Sequence, residues 1–599
     1  MQLTLHVFAG LLSISPALAS VLSETLKNAP LGWTHVGAST ASKQISISIA
    51  LKQQNEAQFY SKLHSVSDPA SAEYGAWLEK EDVDAMLKPA DASKTAVLSW
   101  LKGASIHQIE TDDYFVHFAT DVSTANKLLG ANYQNYHLNG VTKIRTLGYT
   151  INHDVADHIA LVHPTTFFGN TKAYRPVAHF QNVEDRELKA RLTSPSIISP
   201  TCQAEITPSC LWQLYNTVGY TADPKSGSVI GFGSFLSQTA RYVDVAQYLS
   251  ENKLPFRNYT TISVNGAVDN QTVDDVNHGE ANLDAQNIIG VTQSQLPVIQ
   301  YLTAGSPPFN PNIDTQTDTN EPYLPYYSYL LKQPNSKLPQ VITNSYGDEE
   351  DTVPKSYATY VCNQIAQLGS RGITILESSG DIGVGAGCRT TSGAVRFNAI
   401  FPATCPYLTA VGGTQELTPE IAWTSSSGGF SDYFARPSYQ DSAIALYKTK
   451  IPAAIQQYYS AYTNFSGRGF PDVAAHSLLP FYSIVDEGSD TLTGGTSAAS
   501  PVWGAIVGLL NDARLRNNKK PLGFLNPWLY SSGYKSLTDI NGGAAVGCNG
   551  VNGQSDSPIG PGAGIVPGAA WNATDGWDPA TGLGTPNFAL LKTAVLALK

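Results

Sequence analysis

The sequence predicts an α/β protein in which a parallel sheet with helices on both faces follows a smaller α+β domain. Beyond residue 200, strand-like runs alternate with helix-like segments such as "YATYVCNQIAQLGSRG"; the runs are "SVIGFG", "PVIQYLT", "QVITNSYG" and "GITILESSGD". Such alternation is typical of a doubly wound sheet, whose active residues gather on loops at the carboxyl ends of the strands. With 599 residues, 42% of them hydrophobic and 14% charged, the chain is long enough for more than one folded domain.

A change in composition near residue 200 predicts the domain boundary. All six cysteines lie beyond it, whereas nine of the twelve histidines fall between His35 and His179. The charged stretch "NVEDRELKARL" and the Pro- and Ser-rich "TSPSIISPTC" at this point suit an exposed linker. Before it, "VHFATDVSTANKLLGANYQNYHLNG" indicates an amphipathic helix running into a strand. We therefore expect domains at 20–200 and 201–599.

The first residues predict an exported protein. An apolar stretch and an A-x-A site make 1–19 a signal peptide, although a basic n-region is missing. The rest of the sequence has no run of about 18 apolar residues, the length that a membrane-spanning helix needs, so we expect no membrane span. An even number of cysteines then favours disulfides, with Cys202 and Cys210 the nearest pair, and four sequons fit glycosylation: Asn258, Asn270, Asn464 and Asn572. The 31 acidic and 21 basic residues beyond residue 200 disfavour nucleic-acid binding.

The string "GGTSAASP" at 494–501 presents Ser497 as a candidate nucleophile. Pro501 is expected in the first turn of an apolar helix, which places the serine at a helix N-terminus facing backbone N–H groups. Gly494 and Gly495 leave room for a substrate backbone. The alternative is a Gly/Ser turn that only caps a buried helix. A nucleophilic serine also needs an adjacent base, most often histidine.

Carboxyl groups are better candidates for that base than the two histidines beyond residue 200, His278 and His476. In "NHGEANLDAQNIIGV", helical spacing places Glu280 and Asp284 on one face, one turn apart. In a buried cleft the two would share a proton, and Glu280 could then act as general base to Ser497 in acid. On a solvated helix face the same pair would have no function.

A third acidic residue, Asp381, lies in "GITILESSGDIGVGAGC", in a Gly-rich turn after an apolar strand. When protonated it could donate a hydrogen bond to an oxyanion, although S-G-D is also common turn chemistry. Together, E-x-x-x-D, S-G-D and G-T-S-A-x-x-P resemble the motifs of the sedolisin family of acid serine peptidases, in the same order. The segments "FPATCPYLTAVGGT", "RGFPDVAA" and "GWDPATGLGTPNF" extend this resemblance over nearly the whole chain, and "VITNSYGDEEDTVP" is similar to the fungal secreted tripeptidyl peptidases.

The resemblance implies a subtilisin-like fold preceded by an inhibitory, ferredoxin-like propeptide at 20 to about 200. It implies Ser497 as nucleophile, Glu280 as base, Asp284 as the residue that orients the base, and Asp381 in the oxyanion hole. The expected protein is a secreted serine-type tripeptidyl peptidase, active in acid and monomeric. Its expected partners are peptide and protein substrates and its own propeptide.

The resemblance also implies one structural calcium ion near the carboxyl end. Its ligands would be carboxylates of Asp539 and Asp578 and the backbone carbonyls of Ile540, Thr574 and Gly576. Thr574 departs from the glycine often found there, which is tolerable if the backbone does not need positive φ. Taken alone, two aspartates about forty positions apart are a weak signal for the oxygen-rich sites that calcium prefers.

Two hypotheses and several alternatives complete these expectations. One residue of the acidic run 348–351 would bind the free amine of the substrate, and charging of propeptide histidines below about pH 6 would release the inhibitor. The alternatives are an acid endopeptidase of the same family, a subtilisin-like site with His278 or His476 as base, and an inactive secreted binding protein on this scaffold.

Overall fold

The computed structural model describes residues 20–30, 33–138, 141–168, 172–173, 198–273, 278–305, 322–390, 392–551, 558–559 and 562–599. The predicted signal peptide, and most of the predicted linker, lie outside the described residues.

The N-terminal region alternates short strands and helices. Its strands are β1 (Ser20–Thr25), β2 (Thr34–Ala38), β3 (Gln44–Leu51), β4 (Ile109–Thr111), β5 (Phe115–Asp121), β6 (Gln134–Leu138), β7 (Val141–Arg145), β8 (Gly148–Asn152), β9 (Ile159–His163) and β10 (Lys172–Ala173). Its helices are α1 (Glu56–Ser67), α2 (Lys80–Leu87), α3 (Asp91–Gly103), α4 (Val122–Leu129) and α5 (His153–Ala156).

The central sheet of this region is antiparallel, in the order β4-β5-β3-β9. Alternate residues of β3, Ile47 and Ile49, share a buried cluster with Val97 and Leu101 of α3, as expected for a sheet with one face covered by helices. With α3 between the first two strands of the sheet and α4 after the third, the arrangement is that of ferredoxin-like α+β domains. The predicted fold class of this region is confirmed.

The C-terminal region contains the remaining elements. Its strands are β11 (Ile230–Ser234), β12 (Thr260–Val264), β13 (Val298–Thr303), β14 (Val341–Asn344), β15 (Tyr346–Glu349), β16 (Thr374–Ser378), β17 (Ile400–Phe401), β18 (Thr409–Gln415), β19 (Ile421–Ala422), β20 (Gly429–Ala435), β21 (Gly467–Phe470), β22 (Val473–Leu478), β23 (Tyr482–Asp486), β24 (Ser489–Thr493), β25 (Leu537–Thr538), β26 (Ala544–Val546), β27 (Ala570–Asn572) and β28 (Thr585–Pro586). Its helices are α6 (Pro208–Leu214), α7 (Tyr242–Glu251), α8 (Gly279–Val291), α9 (Tyr323–Lys332), α10 (Lys355–Ser370), α11 (Asp441–Lys450), α12 (Ala453–Tyr459), α13 (Thr496–Arg516), α14 (Asn526–Ser531) and α15 (Phe588–Ala597).

A parallel sheet runs through this region in the order β12-β13-β11-β14-β16-β18-β22, with β19 antiparallel beside β18. The central strands β11, β14 and β16 are buried at every position, without alternation, because both faces of the sheet are covered. On β14, Val341 packs in one buried cluster with α8 and α13, whereas the next residue, Ile342, packs in the other cluster with α9 and α10. The predicted parallel sheet with helices on both faces is confirmed.

Disulfides tie loops of the C-terminal region together. Cys202 pairs with Cys210, as expected from their proximity in the sequence. The remaining four cysteines form the pairs Cys362–Cys405 and Cys388–Cys548. Among the helices of the described ranges, none has the length and apolar character that crossing a bilayer requires.

Candidate active site

Helix α8 carries the acidic pair predicted from the E-x-x-x-D spacing. Glu280 and Asp284 lie one turn apart and are 1% and 0% exposed, so the alternative of a solvated helix face is wrong. Ser345 donates a hydrogen bond from Oγ to Asp284 Oδ1 over 2.7 Å. Burial, and next the negative charges of Glu280 and Glu377, raise the pKa of Asp284 well above its usual range. Asp284 therefore keeps a proton under conditions in which an exposed aspartate is ionised.

Polar side chains between and beyond these carboxyls fix the rotation of α8. Asn282 donates to Asp244 Oδ2 over 3.0 Å and to Asp486 Oδ1 over 2.8 Å. Gln286 pairs with both backbone groups of Val485, donating over 2.7 Å and accepting over 2.8 Å. Because the contacts with Asp244 and Val485 are buried, a small rotation of the helix would leave several polar groups unsatisfied, and the acidic pair is held in one orientation.

Ser497 is the second residue of α13 and is fully buried, which confirms its predicted place at a helix N-terminus. The chain enters the helix through Gly495, whose φ of +96° favours glycine. The sequence predicts Pro501 in the first turn of this helix, whereas in the structure it is the sixth residue and lies beyond that turn. It therefore supplies no N–H to the carbonyl of Ser497. Asn287 links α8 to this helix by donating to the carbonyl of Ala498 over 3.4 Å.

Asp381 lies three residues after β16 and is bound to the start of α13. Its Oδ1 accepts hydrogen bonds from Thr496 N over 2.9 Å and from Thr496 Oγ1 over 2.7 Å. Gly380 N in turn donates to Thr496 Oγ1 over 3.2 Å. Since Thr496 directly precedes Ser497, these contacts place the Asp381 carboxyl beside the candidate nucleophile.

The four predicted residues thus gather where β14 and β16 end and where α8 and α13 pack together. Tyr346, the first residue of β15, borders the acidic pair: burial raises its pKa well above its usual range, and the charges of Glu280 and Asp284 add to this effect. The order of elements explains the gathering, because the carboxyl ends of parallel strands meet at one edge of a sheet.

Strand β10 lies against this site. Lys172 and Ala173 pair antiparallel with Gly347 and Tyr346, so that a segment following the ferredoxin-like domain adds a strand to β15. An extended peptide that pairs with a free strand edge is a common mode of peptide recognition. The edge of β15 therefore has the geometry to bind a peptide backbone beside the acidic pair.

Neither histidine of the C-terminal region is placed to serve as a base. His278 is buried, with Nδ1 2.9 Å from the carbonyl oxygen of Thr239 and Nε2 2.6 Å from that of Thr272, so both ring nitrogens are engaged. Burial lowers the pKa of His476 to about 3. The geometry disfavours the alternative in which a histidine activates Ser497.

The sequence did not identify Ser345, Tyr346 or Glu377 as parts of the site. The signal was present, because Glu377 is the one charged residue in the otherwise uncharged run "GITILESSG" and is 1% exposed. A carboxyl in the middle of a buried parallel strand requires a compensating partner or a function.

The four residues of the acidic run 348–351, one of which is predicted to bind an amine, differ in burial and in hydrogen bonding. Glu350 is buried and accepts bonds from Ser431 Oγ, from Asp432 N over 2.7 Å and from Tyr433 N over 3.2 Å, so its carboxyl fixes the middle of β20. Asp348 is also buried, while Glu349 and Asp351 are half-buried. Of the four, Glu350 is thus assigned to the fold.

The predicted calcium ligands lie around one turn, 574–578. Gly576 N donates to Asp539 Oδ2 over 2.7 Å, and Thr574 N donates to Asp578 Oδ2 over 2.9 Å. Burial raises the pKa of Asp578 to about 7, although four hydrogen bonds oppose this effect. Gly576 has a φ of +76°, whereas Thr574 has no positive φ, so a side chain is tolerated there.

Comparison with known proteins identifies the chain. Residues 31–168 match the family described as Pro-kumamolisin, activation domain. Tripeptidyl-peptidase sed4 of Aspergillus fumigatus is 48% identical over 604 aligned residues, covering 100% of both chains. The chain belongs to the tripeptidyl-peptidases of the sedolisin family. Tripeptidyl-peptidase SED2 of Arthroderma otae is a further relative, 37% identical over 95% of each chain.

Among solved structures, Pseudomonas sedolisin, a serine-carboxyl proteinase complexed with two molecules of pseudo-iodotyrostatin, covers 65% of this chain and 98% of its own. It is 20% identical with a TM-score of 0.47, which is too low for a conclusion about this chain. In the chain described above, the matched activation domain, residues 31–168, contains the antiparallel sheet of β3, β4, β5 and β9.

Proposed function

We propose that this sedolisin removes tripeptides from the free N-termini of peptides and proteins at acid pH, through a serine activated by carboxyl groups. The observation that carries the proposal is the buried pair Glu280 and Asp284, on a helix packed directly against the helix that begins beside Ser497. A carboxylate remains an effective base at a pH at which histidine is already protonated.

In the proposed reaction, Glu280 accepts the proton of Ser497 Oγ as the oxygen attacks the scissile carbonyl, and returns it to the leaving amine. Asp284 keeps its own proton because it is buried among acidic groups, and this proton orients and stabilises the Glu280 carboxylate. Ser345 holds the other side of the Asp284 carboxyl through Oδ1. Water then releases the acyl group from Ser497 by the same transfers in reverse order.

Asp381 is proposed to stabilise the oxyanion. Its Oδ1 already accepts two bonds from Thr496, so a proton on this carboxyl would lie on Oδ2, where it can be donated to the developing charge. An ionised Asp381 would instead repel the oxyanion. The proton needed on Asp284 and the proton needed on Asp381 therefore both favour activity at acid pH.

We propose that 1–19 is a signal peptide, 20–200 an inhibitory propeptide with its linker, and 201–599 the peptidase. The pairing of β10 with β15 supports inhibition, because Lys172 and Ala173 occupy the strand edge that a substrate backbone would need. The pairing of all six cysteines supports action outside the cell. We propose that these surroundings are acidic, as a carboxyl base requires. The mature protein is proposed to act as a monomer.

Tripeptide release requires recognition of the free amine, for which we propose Asp348, Glu349 or Asp351. On β15 or in the turn after it, these residues directly follow Tyr346 and Gly347, which pair with β10. Glu350 is left out because its carboxyl is bonded to backbone and side-chain groups of β20.

We propose one structural calcium ion held by the carboxylates of Asp539 and Asp578 and by the carbonyls of Ile540, Thr574 and Gly576. Asp578 supports this assignment, because a buried carboxylate with a pKa raised to about 7 gains stability from a nearby cation. The ion would fix the turn 574–578 and would take no part in proton transfer.

The test uses the matured protein with two peptides of one sequence, one with a free amine and one acetylated, from pH 3 to 8. The expected products are tripeptides, in acid, from the free peptide alone, identified by mass. Internal cuts in both peptides would favour the acid endopeptidase. Intact peptides with both, compared with an inactive S497A control, would favour the binding protein.

A further inference from the structure

A third buried carboxyl lies behind the acidic pair. Glu377 is the fourth residue of β16, one of the two strands that end at the site, and is 1% exposed. It stands in parallel register with Asn344 of β14. The reaction proposed above makes no use of it, and a carboxyl buried in a central strand has a cost that an apolar side chain would not have.

The Glu377 carboxyl contacts both neighbours of the residue that holds Asp284. Asn344 Nδ2 donates to Glu377 Oε2 over 3.1 Å, and Tyr346 N lies 3.4 Å from Glu377 Oε1. Ser345, between them, donates to Asp284 Oδ1 over 2.7 Å. One short backbone segment thus connects the two carboxyl groups. Burial raises the pKa of Glu377 well above its usual range, although the donors Asn344 and Tyr346 at its two oxygens oppose this effect.

The groups that face this cluster are acids and tyrosines. Helix α8 contributes Glu280 and Asp284, β15 contributes Tyr346, and α9 contributes Tyr326 and Tyr327. Burial raises the pKa of each of these three tyrosines well above 10, so they stay neutral in the working range of an acid peptidase. The carboxyls are therefore the groups of the cluster that lose protons first as the pH rises.

We propose that Glu377 is a positioning residue of this site: once it has lost its own proton, its negative charge, held by Asn344 and Tyr346, keeps the proton on Asp284 as the pH rises further. This inference rests on the proposed function, since it concerns the proton by which Asp284 orients Glu280. A nearby negative charge disfavours a second ionisation, so interacting carboxyls lose their protons in separate steps. Glu377 would thereby extend activity toward higher pH.

The test is the pH dependence of kcat and KM for the matured E377Q variant. Glutamine keeps the shape and one acceptor but removes the charge, so Asp284 should lose its proton at lower pH. We expect the alkaline limb of kcat to move about one pH unit toward acid, with KM little changed. An unmoved limb would overturn the proposal, and so would a kcat lowered equally at every pH, since that result indicates a structural role.

The matched control is E420Q. Glu420, a half-buried residue, is a second acid whose pKa burial raises, and it bonds Tyr215, Thr414 and Thr585 instead of the site. Its replacement should leave the limb in place. If E377Q does not fold, E377M, an apolar residue of similar size, should show the same shift, because removing a buried charge is often neutral for folding.

Two further variants separate this inference from the proposed function. If E280Q or S497A retains activity, the proposed reaction is wrong whatever Glu377 does. If both are inactive while E377Q and E377M keep the wild-type limb, the reaction stands and the role of Glu377 is wrong.

Discussion

Replacement of Glu280 by glutamine tests the carboxyl base directly. The amide has nearly the same size but cannot accept a proton. Ser497 Oγ has no hydrogen-bond partner among the described residues, so no other side chain is bonded to it that could replace Glu280 as the base. His278 has both ring nitrogens at backbone carbonyls, and His476 is buried with its pKa lowered to about 3.

A positioned general base contributes about 10²- to 10⁴-fold to the rate. Because no second base is at hand, we expect E280Q to lose activity at the upper end of this range, about 10³- to 10⁴-fold in kcat with KM little changed. Removing one of two adjacent buried acids should leave the melting temperature the same or higher, because their repulsion and desolvation are relieved.

The assay is single-substrate kinetics of the matured variant at the wild-type optimum, with S497A as the background and E280D as the conservative control. A shortened carboxylate should retain partial activity, whereas the amide should not. Activity of E280Q within tenfold of wild type would refute the assignment of the base. A loss accompanied by a lower melting temperature would point instead to a structural role.

Three further predictions concern parts of the molecule that support the site. S345A removes a donor that stabilises ionised Asp284, so the alkaline limb of kcat should move to higher pH, opposite to E377Q; a shift in the same direction would contradict the proposed proton on Asp284. For calcium, folded Asp578 has a pKa of about 7 against a usual 3.8, so without metal the folded state loses stability as the pH rises through this window. A chelator should therefore lower the melting temperature more at pH 7 than at pH 4, and D578N should abolish that difference; equal effects at both pH values would count against the site. Finally, His163 is buried with its ring 5.2 Å from that of Tyr357 on α10, so charging it in acid should loosen the propeptide, and H163Q should move maturation to lower pH while the exposed control H35Q leaves it unchanged. Unaltered maturation of H163Q, followed by the appearance of the mature chain on gels across pH, would exclude this histidine.

Periodicity and spacing predicted the elements that carry the site. The continuous apolar runs gave β11, β13, β14 and β16, and the i to i+4 spacing correctly placed Glu280 and Asp284 on one face of α8. The expected single strand "QVITNSYG" is two strands, β14 and β15, separated at Ser345. That break frees Ser345 to bond Asp284, and no local pattern reveals it.

Long-range contacts account for what the sequence could not show. Glu377 reaches Asn344 across 33 positions, and Thr496 reaches Asp381 across 115, so each pairing depends on the order of the strands. The pairing of Lys172 with Gly347 joins two regions that look unrelated in sequence. Burial is equally hard to predict from the sequence. An acid such as Glu377 in a strand points to a function only when its burial and its partners are known.

The pH dependence of kcat/KM for the matured wild-type protein, from pH 3 to 8 with an unblocked peptide, shows whether carboxyl groups or a histidine activate Ser497. A serine served by Glu280, with Asp284 and Asp381 protonated, should be most active in acid and should lose activity as these carboxyls ionise toward neutral pH. A rate that rises between pH 6 and 8, as it does when a histidine must lose its proton to act as base, would exclude Glu280 as the base.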